Sequence, residues 1–318
     1  MINPVGRTLW PHSRLWLCLA AIGLIDLAWL GLIGHKLLLP KEFLFAALIV
    51  AFFAFAALRW IEDARLRAVA TGSIFVMAAW PTLRLFNHLT MTTDFPMQDE
   101  LLAHWDAVLG LDWLGYARWL DGAHFTAGLL AHCYNSLTTV SCVVFLAIVL
   151  AGDLVTAGEF LVLFFAAAVL MSVTGLFFPA AGAMAHYVHT GVLRYIRPDA
   201  GTWFVAPLRD VRNNPGHVFD ISVLPGLTAF PSFHTAMGVI ILYCCRTRIY
   251  LLAIAGAYVP MMIAAALVFG GHYFVDIIAG AVATFGLIGV LRLLKRSRSA
   301  RPAGYSQSAA VLVETSAT

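Results

Sequence analysis

Eight long apolar stretches constrain the fold of this 318-residue chain more than any other feature of its sequence. Most of them approach the roughly 20 residues that a helix needs to cross the hydrocarbon core of a bilayer. Hydrophobic residues make up 61% of the chain and charged residues only 12%, and a water-soluble domain could not cover that much apolar surface. We therefore predict an all-α, polytopic integral membrane helical bundle with about eight transmembrane helices. The stretches are Leu15–Gly34, Phe43–Leu58, Ala68–Leu89, Phe125–Leu150, Phe160–Phe178, Phe233–Cys245, Ile249–Val268 and Tyr273–Leu294.

Two long connections divide the chain into regions. Acidic residues mix with Leu and Trp at helical spacing in residues 90–123, which predicts an amphipathic helix in the membrane interface with its tryptophans at headgroup depth. Residues 1–89 then hold N-terminal transmembrane helices, 124–295 hold a larger membrane domain, and 296–318 form a basic, disordered tail. The other connection, 179–232, is rich in Gly, Pro, Arg and His, and ordered loops of that length are usually functional.

Charge sets the expected orientation and excludes some partners. The net charge is only +3, and no basic run outside the tail is interleaved with aromatic residues, so nucleic acid is not an expected partner. The loops on the side of the N-terminus carry more Lys and Arg than the opposite loops, which predicts cytoplasmic termini. We expect a multi-pass protein of a bacterial inner (plasma) membrane, with residues 179–232 facing the periplasm or the outside. The five cysteines form no C-x-x-C pattern, so neither a zinc site nor a disulfide framework is expected.

Two polar segments at the ends of apolar stretches carry the candidate chemistry. Gly226–Thr235 leads into the sixth stretch, and Gly270–Gly280 leads into the eighth. His234 and His272 are 38 residues apart, about one helix down and one helix back, so both should lie at the same membrane face. His272 and Asp276 are spaced i, i+4, which lets them touch on one face of a helix.

These residue types suit a reaction at a phosphate. Ionisable groups at membrane depth are expensive and are therefore functional candidates. A carboxylate beside a histidine fixes its tautomer and favours a nucleophilic or basic imidazole, and a second histidine can protonate a leaving group. Ser232 and the free backbone N–H groups of a helix that has Pro231 in its first turn favour an anion. Because the sixth stretch is short, we expect His234 to lie recessed below the membrane surface.

The PSFHT segment that contains His234 and the HYFVD segment that starts at His272 resemble the type 2 phosphatidic acid phosphatase superfamily. They are most similar to its inositolphosphotransferase-type branch, that of the fungal inositol phosphorylceramide synthases. The resemblance covers roughly residues 125–295 and implies a six-helix phosphatase-like core preceded by extra spans. It implies a reaction through a phosphohistidine, without a metal or another cofactor. By this resemblance His272 is the nucleophile, Asp276 orients it, His234 is the general acid, and Ser232 binds phosphoryl oxygens.

The sequence departs from the phosphatase pattern at positions that supply cations. Thr190 occupies the place of a lysine, and Ala265-Ala266 replace a Ser-Arg pair before the nucleophilic histidine. The inositolphosphotransferase-type branch also lacks a full set of cationic phosphate ligands, so the departure favours that branch. Four arginines are candidate substitutes, and we expect the first two to bind the substrate phosphate: Arg209, Arg197, Arg194 and Arg212.

The expected function is phosphoryl removal from a lipid phosphate ester that enters laterally from the outer leaflet, with headgroup transfer to another lipid alcohol as the alternative. A non-enzymatic lipid or solute transporter is a different class of interpretation, in which Pro260 would interrupt the seventh helix. A noncatalytic relative is a third, and the intact histidines argue against it. The oligomeric state stays open.

Two structural interpretations also compete for the polar residues. His272 and Asp276 could be metal ligands together with His234, although no Cys or Glu completes a tetrahedral set. Asp26 and Arg84 both lie inside apolar stretches, and an ion pair between their helices would explain them without a substrate.

Overall fold

The computed structural model describes residues 10–188, 193–197 and 199–299. Thr190, and residues 300–318 of the predicted tail 296–318, lie outside the described residues, whereas residues 296–299 are helical. The described part of the chain forms thirteen α-helices and two short β-strands. They are α1 (Ser13–Ile33), β1 (Lys36–Leu38), α2 (Lys41–Trp60), α3 (Ala64–Thr90), α4 (Asp99–Val108), α5 (Trp113–Gly122), α6 (His124–Asn135), α7 (Leu137–Leu150), α8 (Leu154–Phe177), α9 (Ala183–Tyr187), α10 (Val205–Asn213), β2 (Val218–Asp220), α11 (Phe233–Cys245), α12 (Ile249–Phe269) and α13 (Phe274–Ser299).

The predicted helical membrane bundle is confirmed. Among the described residues, six helices are long and apolar enough to cross a membrane, namely α1, α2, α3, α8, α12 and α13. The α6 and α7 helices pass the same test as a pair, and α11 is a shorter apolar helix. All eight apolar stretches are therefore helical, although they supply six or seven full-length spans rather than eight. Pro260 lies inside the continuous helix α12, so the interruption expected there is not found.

The single helix predicted over Phe125–Leu150 is wrong. The stretch contains α6 and α7, which meet at Ser136 with a bend of 55°. The bend frees the carbonyl of Cys133, and the hydroxyl groups of Ser136 and Tyr258 both donate hydrogen bonds to it, at 3.0 and 2.9 Å. A local side-chain substitute for the helical hydrogen bonds is a common cause of such kinks.

The segment predicted as one interfacial helix contains two, α4 and α5. They are separated by a turn at Gly110, whose φ of +71° is a left-handed conformation that glycine adopts without strain. Trp113 is fully buried within the protein, whereas Trp119 is exposed, and the headgroup depth expected for the tryptophans stays a prediction. Because α4 packs on α13 and α5 packs on α6, this segment covers one end of the bundle.

Helix α11 lies at the centre of the bundle. Helices α7, α8, α12 and α13 pack against it, and ten of its 13 residues are buried. A helix that is apolar on all sides is typical of such a position. At about 1.5 Å per residue α11 is only about 20 Å long, well short of the ~30 Å thickness of a hydrocarbon core. Its two ends therefore do not reach both membrane surfaces.

A parallel pair of three-residue strands, which the sequence analysis did not predict, joins the N-terminal helices to the long loop 179–232. Lys36 of β1 pairs with Val218 of β2, and Leu38 pairs with Asp220. This pairing fixes the α1–α2 connection against the loop that leads into α11.

Candidate active site

The two histidines singled out by the sequence lie beside each other at one end of the bundle. His234 is in the first turn of α11, His272 is in the turn before α13, and their ring centroids are 6.2 Å apart. Tyr134 of α6 stacks on the His234 ring, with centroids 4.2 Å apart and planes 15° from parallel. This stacking fixes the plane of the His234 ring beside His272.

Asp276 fixes the orientation of His272. His272 Nδ1 lies 3.2 Å from Asp276 Oδ2, and the same oxygen accepts a hydrogen bond from the N–H of Tyr273 at 2.9 Å. Asp276 is fully buried, so no bulk water competes for this contact. With Nδ1 directed at the carboxylate, Nε2 is the nitrogen of His272 that is available for reaction, because it has no hydrogen-bond partner among the described residues.

The contact between His272 and Asp276 does not arise from i, i+4 spacing along a helix, as the sequence analysis expected. Helix α13 begins at Phe274, so His272 precedes it and Asp276 lies in its first turn. The carboxylate of Asp276 folds back over the start of the helix and reaches the histidine there. Negative charge at this end of a helix is also favoured by the helix dipole.

Ser232 is the N-cap of α11. Its hydroxyl oxygen accepts a hydrogen bond from the N–H of Thr235 at 3.3 Å, and its own N–H donates to the carbonyl of Asp276 at 3.0 Å. Pro231 therefore precedes the cap and is not in the first turn, contrary to expectation. Gly280 of α13 makes this approach possible, because a Cβ there would lie 2.4 Å from the carbonyl oxygen of Ser232. The two polar segments are thus joined through backbone as well as through side chains.

A cavity of about 140 Å³, which is open to the surroundings, lies between α3, α8 and the start of α11. Its lining is mostly apolar and includes both His234 and His272. Asn87 and Ser172 also line it, but Asn87 is already engaged: its side-chain NH₂ donates to Ser172 and Thr228. The cavity therefore combines a mostly apolar lining with a reactive end at the two histidines.

Arg84 of α3 is the arginine that the structure brings to this cavity, among the described residues. Arg197 instead pairs with Asp199 in a neighbouring cleft, with an N–O distance of 3.0 Å and a side chain that is 82% exposed. Arg209 is exposed on α10 and does not line the cavity either. The structure therefore does not bring the two expected phosphate-binding arginines to the histidines.

The other charged and polar candidates are also away from the reactive end. Arg212 donates to the carbonyls of Met91 and Phe95, and Arg194 is exposed. The carboxylate oxygens of Asp26 have no hydrogen-bond partner, so the ion pair with Arg84 that the sequence suggested does not form. Ser232, in contrast, lies at the reactive end, two residues before His234, where it is fully buried and its hydroxyl oxygen caps α11.

Helices α4 and α5 hold the His272 turn from outside the bundle. The indole N–H of Trp113 donates to the carbonyls of Leu267 and His272, at 3.2 and 3.0 Å. The two carboxylate oxygens of Asp106 accept the N–H groups of Phe274 and Val275, both at 2.9 Å. These are the first residues of α13, whose N–H groups have no partner within the helix. We call α4 and α5 the clamp.

Asp99 extends the clamp to the long loop. Its carboxylate accepts the N–H groups of Ala181 and Gly182, at 3.0 and 2.9 Å, and the phenol of Tyr273 donates to it at 3.1 Å. One acidic side chain thus ties the loop before α9 to the residue that follows His272.

Close backbone packing completes the turn. Gly271 and Gly201 both have positive φ, +66° and +70°, and a Cβ on Gly271 would lie 2.2 Å from the carbonyl oxygen of Gly201. The N–H of Ala183 also donates to the carbonyl of Gly271 at 2.6 Å. The long loop therefore packs directly on the backbone beside His272.

Sequence reasoning missed Asp99, Asp106, Trp113 and Arg84 as parts of the site. Asp99 and Asp106 are seven residues apart in α4, so they share one helix face, and two carboxylates on one face among apolar residues are a signal of a buried polar partner. Arg84 was noted only as a charge within a span. Its position in the sequence does not indicate which cavity it faces.

The arrangement can perform nucleophilic substitution with acid–base assistance. One imidazole is held by a carboxylate, the ring centroid of a second imidazole lies 6.2 Å away, and a cation lines the same cavity. The described residues contain no group of three or more His, Cys, Asp or Glu placed to share a metal ion.

Comparison with known proteins gives one match. A family model described as the PAP2 superfamily matches residues 100–290, which is more than half of the chain. The match begins within α4 and ends within α13, so it includes most of the clamp and both histidines. No curated protein and no solved structure gives a significant match.

Proposed function

The chain belongs to the PAP2 superfamily, and from this membership we propose that it is an integral membrane lipid phosphate phosphatase or phosphotransferase that works through a phosphohistidine. The family supports a phosphatase-type activity on lipid phosphates, and the apolar helices make the chain a multi-pass membrane protein. One observation carries the finer proposal: His234 lies beside His272, which is 38 residues later in the sequence and is held by Asp276, and both histidines line a mostly apolar cavity.

The reaction has two steps. In the first, Nε2 of His272 attacks the phosphorus, the bond from phosphorus to the alcohol oxygen breaks, and His234 gives a proton to that oxygen. In the second, water or another alcohol attacks the phosphohistidine, its proton passes to His234, and the N–P bond breaks to regenerate His272. Asp276 accepts the hydrogen bond of Nδ1–H throughout and stabilises the positive charge that develops on the ring.

The substrate class follows from the cavity. Apolar side chains of α3 and α8 line it, which suits an acyl chain, whereas the two histidines suit the phosphate. The short α11 places His234 below the level of a full-length span, so that a lipid could enter from the side. We propose that the site faces the periplasm or the outside of a bacterial inner membrane, with both termini in the cytoplasm.

Headgroup transfer is the second candidate reaction within this class. The replacement of a Ser-Arg pair by Ala265-Ala266 favours the inositolphosphotransferase-type branch, because that branch also lacks a full set of cations. Water and an alcohol can both attack a phosphohistidine, so the same site supports either outcome.

A lipid panel separates these outcomes. The detergent-solubilised protein is incubated with lipid phosphomonoesters and phosphodiesters, with and without a lipid alcohol, and the products are resolved by mass spectrometry. We expect turnover without added metal and in the presence of a chelator. His272→Ala should abolish it, whereas His132→Ala, which replaces an exposed histidine of α6, should not.

Rapid acid-free quenching with a ³²P-labelled substrate should give protein-bound phosphate that is stable to alkali and labile to acid, as expected for a phosphohistidine. Full activity of His272→Ala would exclude His272 as the nucleophile. Chelator-sensitive turnover would favour a metal-dependent reaction. Movement of lipid across the membrane without any chemical change would favour the transporter interpretation. A reporter fused to the C-terminus tests the orientation.

A further inference from the structure

Arg84 is a cation inside a membrane span that has no anionic partner among the described residues. Arg84 lies on α3. Asp26 on α1, the carboxylate that the sequence suggested as its partner, makes no hydrogen bond to it. An unpaired charge at membrane depth is expensive, and in membrane proteins such a residue usually faces a cavity or a ligand. Arg84 lines the cavity that contains His234 and His272, which gives its charge a place to act.

The guanidinium of Arg84 is held in place by groups that do not neutralise it. It stacks over the ring of Trp80, one helical turn earlier, with 4.4 Å from its carbon to the ring centroid. On its other side is the loop that leads into α11, where a Cβ on Gly226 would lie 2.9 Å from Arg84 Nη1. Asn87, one turn later on α3, anchors the same loop by accepting the N–H of Leu227 at 2.8 Å.

We propose that Arg84 binds the phosphoryl oxygens of the substrate, and this inference rests on the proposed function of the same site. Arginine presents N–H groups in a planar fork that matches two oxygens of a phosphate. The cations expected by the superfamily pattern are absent at Thr190 and Ala266. Arg84 supplies positive charge to the cavity from a helix that precedes the matched region, residues 100–290.

The assignment makes the N-terminal helices part of the active site. Arg197 and Arg209 do not line the cavity, and Asn87 has its donors engaged by Ser172 and Thr228. Arg84 is therefore the charged donor that the described residues offer at the reactive end. The substrates that should depend on it most are those with the most negative phosphate, the phosphomonoester lipids.

The test compares Arg84→Gln and Arg84→Lys with Arg197→Gln, which removes the same charge from the neighbouring cleft. Two quantities are measured on the full chain in detergent: the dissociation constant for inorganic orthovanadate, which imitates a phosphoryl group, and kcat/KM for a lipid phosphomonoester. We expect Arg84→Gln to weaken vanadate binding at least tenfold and to lower kcat/KM about 10²- to 10³-fold, the scale of one lost transition-state donor. Arg197→Gln should change both by less than twofold.

Vanadate affinity of Arg84→Gln within twofold of the unmodified protein would overturn the assignment. If that variant does not fold, Arg84→Lys decides: an ammonium lacks the planar fork, so we expect at least fivefold weaker vanadate binding, and unchanged binding and kcat/KM would overturn the assignment. Failure of the proposed function has a different signature. In that case the unmodified protein turns over no lipid, while Arg84→Gln still binds vanadate more weakly than the unmodified protein does.

Discussion

The most informative perturbation of the clamp is Asp106→Asn. Asp106 is 1% exposed, and each of its carboxylate oxygens accepts one N–H from the start of α13. Asparagine keeps the shape but has only one oxygen, so its NH₂ group would face the second N–H. The substitution therefore breaks one of two matched hydrogen bonds and leaves a buried donor without a partner.

The magnitude follows from three contributions. A lost charge-assisted hydrogen bond costs about 1.5–3 kcal/mol, which includes much of the cost of the orphaned N–H. Loss of negative charge at the N-terminus of α13 adds about 0.3–1 kcal/mol. Burial, opposed by the two N–H donors, raises the pKa of Asp106, so the carboxylate carries a desolvation cost that Asn would not carry. We expect a net loss of about 2 kcal/mol, or roughly 3 °C in apparent unfolding temperature for a chain of 318 residues.

The assay is thermal unfolding of the purified protein in detergent, with Asp112→Asn as the matched control. Asp112 is the exposed N-cap of α5 and accepts the N–H of Gly115 at 2.8 Å, a role that Asn fills about equally well. The control should therefore lose less than about 0.5 kcal/mol. Equal losses in the two variants would refute the reasoning, because they would mean that burial and double hydrogen bonding at Asp106 add nothing.

Three further predictions address other contacts. Gly280→Ala places a methyl group 2.4 Å from the Ser232 carbonyl and should lower kcat/KM at least tenfold, whereas Gly286→Ala on the same helix, with open space around it, should not. Glu159→Gln should lower stability by about 1–2 kcal/mol without changing KM, because buried Glu159 pairs with Arg246 and Lys295, which are themselves partly exposed. Protection of the amides of residues 194–196 from hydrogen exchange should fall as pH drops below about 4, and Asp121→Asn should remove this dependence.

The sign of the last prediction follows from the contacts of Asp121. Burial raises the pKa of Asp121, but the hydrogen bonds from the N–H groups of Arg194, Ile196 and Tyr195 lower it by more. The pKa of Asp121 in the folded protein therefore lies below the ordinary 3.8. The stabilising contribution of Asp121 is therefore complete above the ordinary pKa and is lost as the pH falls through the lower pKa of the folded protein. Protection that is unchanged down to pH 3 would contradict it. A tenfold loss of kcat/KM in Gly286→Ala would contradict the prediction for Gly280. A large rise in KM in Glu159→Gln would contradict the prediction for Glu159.

The sequence was most informative where a local pattern carried the whole signal. Length and apolarity were enough to locate the apolar helices among the described residues, except for the break at Ser136, and the two polar segments were enough to bring His234 and His272 to one end of the bundle. The contact of Asp276 with His272 was also anticipated, but by the wrong geometry, because spacing alone does not say where a helix begins.

The rest depended on contacts between elements that no local pattern specifies. Asp106 reads as an acidic residue of an amphipathic segment until the start of α13 is placed beside it. Ser136 bends an apolar stretch only because Tyr258, on another helix, shares the freed carbonyl. Among the arginines, sequence proximity to the superfamily pattern favoured Arg197, whereas the packing of α3 on α8 turns Arg84 toward the histidines.

The shortness of α11 has a consequence for the fate of the phosphohistidine. A 13-residue helix is some 10 Å shorter than a full span, and we expect the shortfall at its N-terminal end, which would place His234 among hydrocarbon rather than solvent. Bulk water is scarce at such depth, while a lipid alcohol is concentrated there by its own chains. The short α11 should therefore favour transfer to a lipid alcohol over hydrolysis. Lengthening α11 by one turn should shift the products toward free phosphate.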